Sequence, residues 1–270
     1  MGRLESNLLD MARLEDLAAG DSFVHRLDPR SKVIVTAFFL VTVVLRDSRD
    51  LSGLLPLVLY PVALLAVSGL PAGYLAGKLL LASPFALLVG IWNPILDREI
   101  VAHVGPFGVS GGVVSFLSIM LRFALTLSAA LILVAVTGFD PVCRALTKMR
   151  VPRAFVVQLG LLYRYIFVLA REAGRMMRAY SLRNLADEKP TMRMYGTLLG
   201  HLLLRAIDRA QRIHMAMLGR GFDGEMRMMR PMRMTGADFL YIAFWTGFFV
   251  LTRVYDLPLL LGSLATGLAP

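Results

Sequence analysis

Charged residues divide this 270-residue chain into long apolar stretches, and 57% of its residues are hydrophobic. Soluble domains have an apolar share of about 45–50%, whereas a membrane-spanning helix needs roughly 20 mostly apolar residues. The sequence therefore predicts an all-α polytopic membrane protein with about five transmembrane helices. The predicted spans cover residues 33–45, 51–77, 79–96, 113–139 and 239–252.

Two placements are open for Arg122, which lies near the start of the fourth predicted span. A span that begins at residue 113 places Arg122 about 15 Å along the helix, where an arginine faces a protein interior or a polar cavity. A span that begins at Arg122 itself leaves the guanidinium at the membrane interface. The uncharged residues 123–139 are nearly long enough for that shorter span.

Two prolines and a glycine-rich segment shape the region before this span. Pro84 predicts a bend in the third span, and Pro94 predicts a helix end near residue 93. Residues 105–112 contain four glycines and one proline, which favours a turn over a helix.

Most of the positive charge lies in residues 140–235. This block holds 18 of the 29 Lys and Arg residues and 7 of the 19 Asp and Glu residues, a net charge of +11, while the rest of the chain carries −1. Short loops rich in Lys and Arg stay on the cytoplasmic side of a membrane. The N-terminus and the basic block are therefore predicted to be cytoplasmic, and five spans place the C-terminus outside.

Two long amphipathic helices are predicted inside the basic block, at about 154–183 and 192–220. Spacings of three, four and seven residues align arginines on one side of each helix. A solvated or headgroup-facing helix flank is the plainer explanation of such stripes. The stripes contain Arg164, Arg171, Arg175 and Arg178 in the first helix and Arg205, Arg209 and Arg212 in the second.

An arginine directly precedes the predicted stop of each helix. Asn184 follows Arg183, and Gly221 follows Arg220. Asn and Gly are the residues that most readily take the left-handed conformation that ends a helix. Each guanidinium should therefore project from an exposed last turn, and two such tips indicate two receiving pockets on partner proteins.

The sequence lacks the common catalytic, nucleotide-binding and metal-binding motifs. It contains no G-x-x-x-x-G-K-[ST], H-E-x-x-H or G-x-S-x-G segment, and its four histidines are dispersed. Residues 219–224 match G-x-G-x-x-G, but they follow a helix rather than a strand, which is the wrong context for a dinucleotide. The single Cys143 is expected to be a buried thiol. We therefore expect no catalytic residues, no metal ligands and no cofactor bound by this chain.

Three segments carry a family resemblance. They are Leu27-Asp-Pro-Arg-Ser-Lys32 before the first span, residues 151–173 with Leu162-Tyr-Arg-Tyr165, and residues 205–224, which are the longest and most specific. With these segments the chain resembles, essentially end to end, the transmembrane T components of energy-coupling factor (ECF) transporters. It is most similar to the CbiQ-type subunit of cobalt and nickel uptake systems.

The resemblance implies that two cytoplasmic coupling helices end in Ala-Arg-Gly-like motifs, whose arginines dock into two ATPase subunits. Here Leu182 and Gly219 replace the alanines, and Asn184 replaces one glycine. The implied ATPase-coupling residues are Leu182, Arg183, Asn184, Gly219, Arg220 and Gly221. The implied supporting residues of the coupling helices are Arg164, Arg171, Arg175, Arg205, Arg209 and Arg212.

The implied function is that of a non-catalytic coupling subunit of an ATP-driven cobalt importer. The implied partners are two ATP-binding cassette ATPases that carry ATP and Mg, a CbiM-type substrate-binding S component, a small CbiN-type subunit and membrane lipid, with no nucleic acid. A nickel importer is the alternative, and a vitamin transporter is less favoured. A polytopic membrane enzyme acting on phosphorylated lipid is the reading from a different functional class.

The predicted location is the inner (plasma) membrane of a bacterial cell, with several membrane crossings. The predicted domains are a cytoplasmic N-terminal segment at 1–30, transmembrane helices at 31–139, a cytoplasmic coupling-helix domain at 140–235, a last transmembrane helix at 236–256 and an apolar tail at 257–270.

Overall fold

The computed structural model describes residues 17–47, 51–96, 100–104, 107–183, 191–224 and 234–254. Helices dominate these residues, which confirms the predicted all-α class. They divide into two compact units. The described residues of the larger unit lie in 17–138 and 234–254, and those of the smaller unit lie in 139–183 and 191–224.

The larger unit contains most of the apolar helices. Two 3₁₀ turns, Ser52–Leu54 and Pro56–Val58, precede its third α-helix. The α-helices are α1 (Phe23–Arg26), α2 (Pro29–Val44), α3 (Leu59–Ser68), α4 (Ala72–Gly90), α5 (Trp92–Leu96), α6 (Gly111–Thr137) and, after the smaller unit, α10 (Gly236–Val254).

Helix α2 begins where local chemistry favours a helix start. The side chain of Asp28 accepts a hydrogen bond from the backbone amide of Arg30 at 2.9 Å, and Pro29 occupies the first turn. An aspartate cap satisfies an otherwise unpaired amide, and proline at this position loses no helical hydrogen bond. The helix has 16 residues, about 24 Å at 1.5 Å per residue.

Helices α2 and α10 run parallel, with their starts together and their ends together. At the start, the amide of Asp28 donates to the carboxylate of Asp238 at 2.7 Å. At the other end, the guanidinium of Arg46 donates to the carbonyl oxygen of Thr252 in the last turn of α10. In a chain that crosses a membrane five times, the first and fifth crossings must point the same way, so this arrangement fits the predicted topology.

An aromatic cluster forms the core of the larger unit. The ring of Tyr60 lies 4.6 Å from that of Phe39, 4.8 Å from that of Trp245 and 5.4 Å from that of Phe249. The buried Tyr60 hydroxyl also shares a 2.8 Å hydrogen bond with the hydroxyl of Thr36. The cluster therefore joins α2, α3 and α10 through large apolar surfaces and one satisfied polar group.

The predicted boundary between the second and third spans is wrong. Lys78 was expected to separate them, but it lies inside α4, and the chain breaks at residues 69–71. Gly69 ends α3 in a left-handed conformation with φ of 68°, and Pro71 precedes α4. Lys78 fits within the helix because its ammonium lies over the ring of Tyr74, 5.4 Å from the ring centre, which partly offsets the cost of the charge.

A β-hairpin occupies part of the segment predicted as a turn. Strand β1 (Ile100–Val104) pairs antiparallel with β2 (Phe107–Ser110), and α6 begins directly afterwards at Gly111. The predicted helix end near residue 93 is also displaced. Helix α4 ends at Gly90, and the five-residue α5 continues to Leu96.

Four segments of the described chain are long and apolar enough to cross a membrane by length and composition: Ala72–Pro94, Gly111–Thr137, Arg153–Arg183 and Gly236–Val254. Residues Ser52–Ser68 form a shorter apolar segment. The helices at the first two predicted spans are thus shorter than a full crossing. Arg153–Arg183 meets the criterion although the sequence predicts it to be a cytoplasmic coupling helix.

Arg122 lies 11 residues after the start of α6, so the span does not begin at this arginine. Its guanidinium donates to the carbonyl oxygen of Asp47, just beyond the end of α2. This contact favours the placement that directs Arg122 to a protein partner. A cation at the carbonyl end of a helix is favourable because those carbonyl groups carry partial negative charge.

The smaller unit consists of three helices in the described chain: α7 (Phe139–Lys148), α8 (Arg153–Arg183) and α9 (Met192–Leu218). The ring of Phe139 in α7 stacks on that of Tyr163 in α8, with 4.3 Å between centroids. Cys143 is a buried free thiol, as predicted. The limits and cellular sides of the predicted domains stay predictions.

Candidate functional site

Helix α8 ends at Arg183 in an exposed last turn. Both Leu182 and Arg183 are exposed, and 82% of Leu182 is accessible. A large apolar side chain and a guanidinium thus stand side by side at the end of a 31-residue helix. Asn184, the predicted helix stop, lies outside the described residues.

Helix α9 ends in a Schellman motif that leaves Arg220 at its tip. The amide of Gly221 donates to the carbonyl of Leu218 at 2.9 Å, and the amide of Phe222 donates to the carbonyl of Met217 at 3.0 Å. These two bonds, with Gly221 at φ of 77°, define the motif. The predicted left-handed stop at Gly221 is therefore confirmed, and the exposed Arg220 occupies the C-cap position of the motif, two residues beyond Leu218.

The two arginines at the helix tips, Arg183 and Arg220, are alike in the partners of their side chains. The structure shows no hydrogen bond or ion pair from the side chain of Arg183 or Arg220 to any residue in its described ranges. A guanidinium has five N–H donors in a planar fork that matches a carboxylate. Among the described residues, each helix end therefore presents a cation whose donors are unpaired.

The predicted supporting arginines lie on exposed or half-buried positions. Arg164, Arg171 and Arg175 are exposed on α8, and Arg205 and Arg212 are exposed on α9. Arg209 differs from them because it is half-buried.

Glu172 joins the two long helices, and the sequence analysis missed it. One of its carboxylate oxygens accepts from Arg205 of α9 at 2.6 Å, and the other accepts from Arg175 on its own helix. The Glu172 side chain is 13% exposed, whereas the two arginines are about two-thirds exposed. The sequence did hold a signal, since Glu172 is the only acidic residue in α8 and stands three positions before Arg175.

A groove of about 260 Å³ lies between α8 and α9. We call it the arginine groove. Three arginines and one glutamate make it cationic. Its lining residues are Leu169, Glu172, Arg205, Arg209 and Arg212.

Both long helices leave their apolar side chains largely uncovered. On α8, Phe155 and Leu162 are each 57% exposed, and the only buried residue is Val156. None of the residues of α9 is buried. An exposed apolar area of this size marks a surface that contacts lipid or another protein.

Within the described ranges, no group of three or more His, Cys, Asp or Glu side chains could hold a metal ion. The described residues of the smaller unit instead show two exposed arginine tips, a cationic groove and uncovered apolar faces. Such an arrangement is suited to binding partners.

Comparison with known proteins identifies the family. The CbiQ family, described as a cobalt transport protein, matches residues 20–231. The energy-coupling factor transporter transmembrane protein EcfT of Heliobacterium modesticaldum is 30% identical over 266 residues, which cover 88% of this chain and 97% of the relative. EcfT of Bacillus subtilis is 25% identical over 232 residues, covering 80% and 87%.

A relative whose name specifies cobalt transport aligns over a shorter region. The cobalt transport protein CbiQ of Rhodobacter capsulatus is 28% identical over 131 residues, which cover 47% of this chain and 54% of the relative. The two longer alignments and the family match agree with the helical membrane fold. The chain belongs to the CbiQ family and is a transmembrane T component of an energy-coupling factor transporter.

Proposed function

We propose that this chain is the non-catalytic coupling subunit of an ATP-driven importer for cobalt ion. In this role it transmits the closure of two ATP-binding cassette ATPases to a separate CbiM-type S component that holds the ion. A small CbiN-type subunit completes the proposed assembly. ATP and Mg are bound by the ATPase subunits rather than by this chain.

One observation carries the proposal: the two longest helices of the smaller unit end at exposed arginines that have no side-chain partner among the described residues. In our proposal, Arg183 and Arg220 each bind a carboxylate in a groove of one ATPase subunit. Two parallel N–H···O bonds would hold each arginine firmly. With both tips anchored, closure of the two ATPases would move the two helix ends relative to each other.

The link between α8 and α9 supports transmission of that movement. Glu172 lies 11 residues before Arg183, and Arg205 lies 15 residues before Arg220, which places the ion pair about 16 Å and 22 Å along the helices from their tips. Displacement of either tip would be transmitted through this contact to the other helix. The exposed apolar side chains of α9 then offer a surface that would contact the S component.

The proposed substrate follows from the relatives and not from metal ligands in this chain. The family description and the relative from Rhodobacter capsulatus both name cobalt transport. A nickel importer is the alternative, because the proposed ion site belongs to another subunit. A vitamin transporter is less favoured.

The proposed location is the bacterial inner membrane, with the smaller unit in the cytoplasm. The charge distribution supports this orientation, because residues 140–235 carry a net charge of +11 and positive loops stay inside. The parallel α2 and α10 fit a chain that enters from the cytoplasm and ends outside.

The test uses the complete transporter, formed by co-expressing this chain with its ATPase and S subunits. Replacing Arg183 or Arg220 by Ala should weaken ATPase association at least about thirtyfold, since losing one partner of a desolvated charge pair costs about 2–5 kcal/mol. Uptake of radioactive cobalt into cells should fall in parallel. Uptake of nickel instead of cobalt would correct the substrate but not the role.

Arg193→Ala is the matched control, because Arg193 is an exposed arginine at the opposite end of α9. This variant should retain ATPase association and uptake. Full uptake and normal ATPase association in the Arg183→Ala, Arg220→Ala double variant would refute the coupling role.

A further inference from the structure

Arg209 interrupts an otherwise apolar half-buried stripe on α9. Every half-buried residue of this helix falls at a spacing of three or four, as expected for one face turned toward a neighbour. Six of the seven are apolar, and the seventh is Arg209. The stripe consists of Met194, Leu198, Leu202, Ala206, Arg209, Ile213 and Met217.

The charge of Arg209 is not neutralised by the acidic residue that lines the same groove. Both oxygens of Glu172 are already engaged, one by Arg175 and the other by Arg205. The side chains of Arg209 and Arg212 form no ion pair or hydrogen bond with the part of the chain that the structure describes. The arginine groove thus keeps an excess of positive charge next to two guanidinium groups with free donors.

An apolar track leads away from the arginine groove along α8. Leu169 lines the groove, and Ile166 and Leu162 stand three and seven positions before it on the same helix face. Ile166 is 45% exposed and Leu162 is 57% exposed. Next to the cationic groove there is therefore an uncovered hydrocarbon-like surface.

From this juxtaposition we propose that the arginine groove binds an anionic phospholipid. Arg209 and Arg212 bind the phosphate of the headgroup, and an acyl chain lies against Leu169, Ile166 and Leu162. Guanidinium groups bind phosphate oxygens with paired, charge-assisted hydrogen bonds. The site is independent of the arginine tips that are proposed to bind the ATPases.

Two features favour a lipid over an acidic protein segment as the occupant. An acidic segment would match the arginines but would leave the apolar track beside them uncovered. In addition, an 18-residue window of Arg153–Arg183 is as apolar as a membrane span, which suits a helix that contacts the cytoplasmic face of the bilayer. A phospholipid satisfies both the charge and the apolar surface with one molecule.

The test measures lipid binding to the full-length chain in non-ionic detergent by native mass spectrometry. The probes are dioleoylphosphatidylglycerol, dioleoylglycerol without a phosphate, and inorganic phosphate. The wild type should retain phosphatidylglycerol in preference to dioleoylglycerol, and an equal concentration of inorganic phosphate should not displace the lipid. The Arg209→Gln, Arg212→Gln double variant should bind phosphatidylglycerol about thirtyfold more weakly, since each basic residue contributes roughly fivefold.

Two further variants separate this effect from general loss of charge or fold. The Lys148→Gln, Arg193→Gln double variant also removes two positive charges. Both positions are exposed in the same unit and do not line the groove, so this variant should leave lipid binding unchanged. Glu172→Gln removes the one negative charge in the groove and should strengthen phosphatidylglycerol binding severalfold. A variant that was merely unfolded could not show this gain.

Three results would overturn the proposal. The first is unchanged phosphatidylglycerol binding in the Arg209→Gln, Arg212→Gln variant. The second is displacement of the lipid by an equal concentration of inorganic phosphate, which would indicate a free-anion site. The third is loss of ATPase association in this variant while lipid binding persists, which would assign the groove to an acidic protein segment.

Discussion

The carboxylate of Asp238 accepts a hydrogen bond from the backbone amide of Asp28 at 2.7 Å, across 210 residues of sequence. Ser31 donates to the same oxygen at 3.1 Å, and the amide and hydroxyl of Thr235 donate to the other oxygen at 2.8 Å. Asp238 is 1% exposed, and the neighbouring Lys32 is 4% exposed. This buried cluster joins the starts of α2 and α10.

Replacing Asp238 by Ala should lower the free energy of unfolding by about 3 kcal/mol. The change leaves several buried donors unpaired and removes a negative charge near the buried Lys32, and both effects are costly. Thermal unfolding of the purified chain in detergent, followed by the fluorescence of Trp245 in the core, measures the loss. Asp208→Ala, at an exposed position of α9, is the control, and equal melting temperatures for the two variants would contradict the prediction.

Helices α4 and α6 pack closely at Gly90. A β-carbon at this position would lie 2.9 Å from a ring carbon of Phe116, whereas one at Gly77 of the same helix would meet nothing within 4 Å. Gly90→Val should therefore destabilise the protein by about 1–3 kcal/mol through overpacking. Gly77→Val should change stability by less than about 0.5 kcal/mol.

The melting temperatures of the two glycine variants, measured in the same detergent, test this difference. If both valines lower the melting temperature equally, the effect arises from valine in the helix and not from the contact with Phe116.

His25 makes the larger unit sensitive to acid. Burial lowers the pKa of its imidazole below the ordinary value of 6.5, and the nearby positive charge of Lys32 acts in the same direction. The ring is held between the hydroxyl of Ser22 at 2.7 Å and the carbonyl of Leu17 at 3.1 Å. Protonation therefore favours the unfolded chain, where the pKa is higher.

The stabilisation from neutral His25 should be complete above a pH of about 6.5 and should decline as the pH falls below it. Melting temperatures at pH 7.5, 6.5 and 5.5 would show this decline. His25→Gln should flatten the profile, whereas His214→Gln, at an exposed position of α9, should not. A wild-type profile that is flat over this range would refute the prediction.

Periodicity and charge predicted which segments of this chain are helices better than they predicted where those helices begin and end. The end of α9 at Gly221 follows from local chemistry, because glycine takes the left-handed conformation without a steric cost. The break before α4 lies at Gly69 and not at the predicted Lys78, because the backbone turns at the left-handed glycine and the charge lies within the helix. A single lysine can remain inside an apolar helix when an aromatic ring one turn earlier receives its ammonium.

Contacts between distant residues could not be predicted from patterns along one chain. The pairing of Asp238 with Asp28 depends on which helices become neighbours, and periodicity carries no such information. The same holds for Arg122, whose partner is a backbone carbonyl at Asp47. The arginine stripe at 205, 209 and 212 was predicted, but its junction with Glu172 required the packing of two helices.

The backbone conformation at the α9 tip predicts different effects for alanine substitutions at the two glycines on either side of Arg220. Gly221 has φ of 77°, a conformation that an L side chain adopts only with strain, whereas Gly219 has φ of −63° and ψ of −15°. Gly221→Ala should therefore cost about 1 kcal/mol at the tip and weaken ATPase association up to about fivefold. Gly219→Ala should bind the ATPases as the wild type does, because its β-carbon would lie 3.4 Å from the carbonyl oxygen of Met215, an ordinary contact.

The Gly221→Asn variant tests whether backbone strain at position 221, and not the mere presence of a side chain there, weakens ATPase association. Asparagine tolerates the left-handed conformation better than alanine does, so this variant should fall between Gly221→Ala and the wild type in ATPase association. The measurement is the amount of ATPase that copurifies with each variant across a range of ATPase concentrations. If Gly219→Ala and Gly221→Ala weaken association equally, the left-handed stop does not position Arg220, and the tip must be ordered by its partner instead.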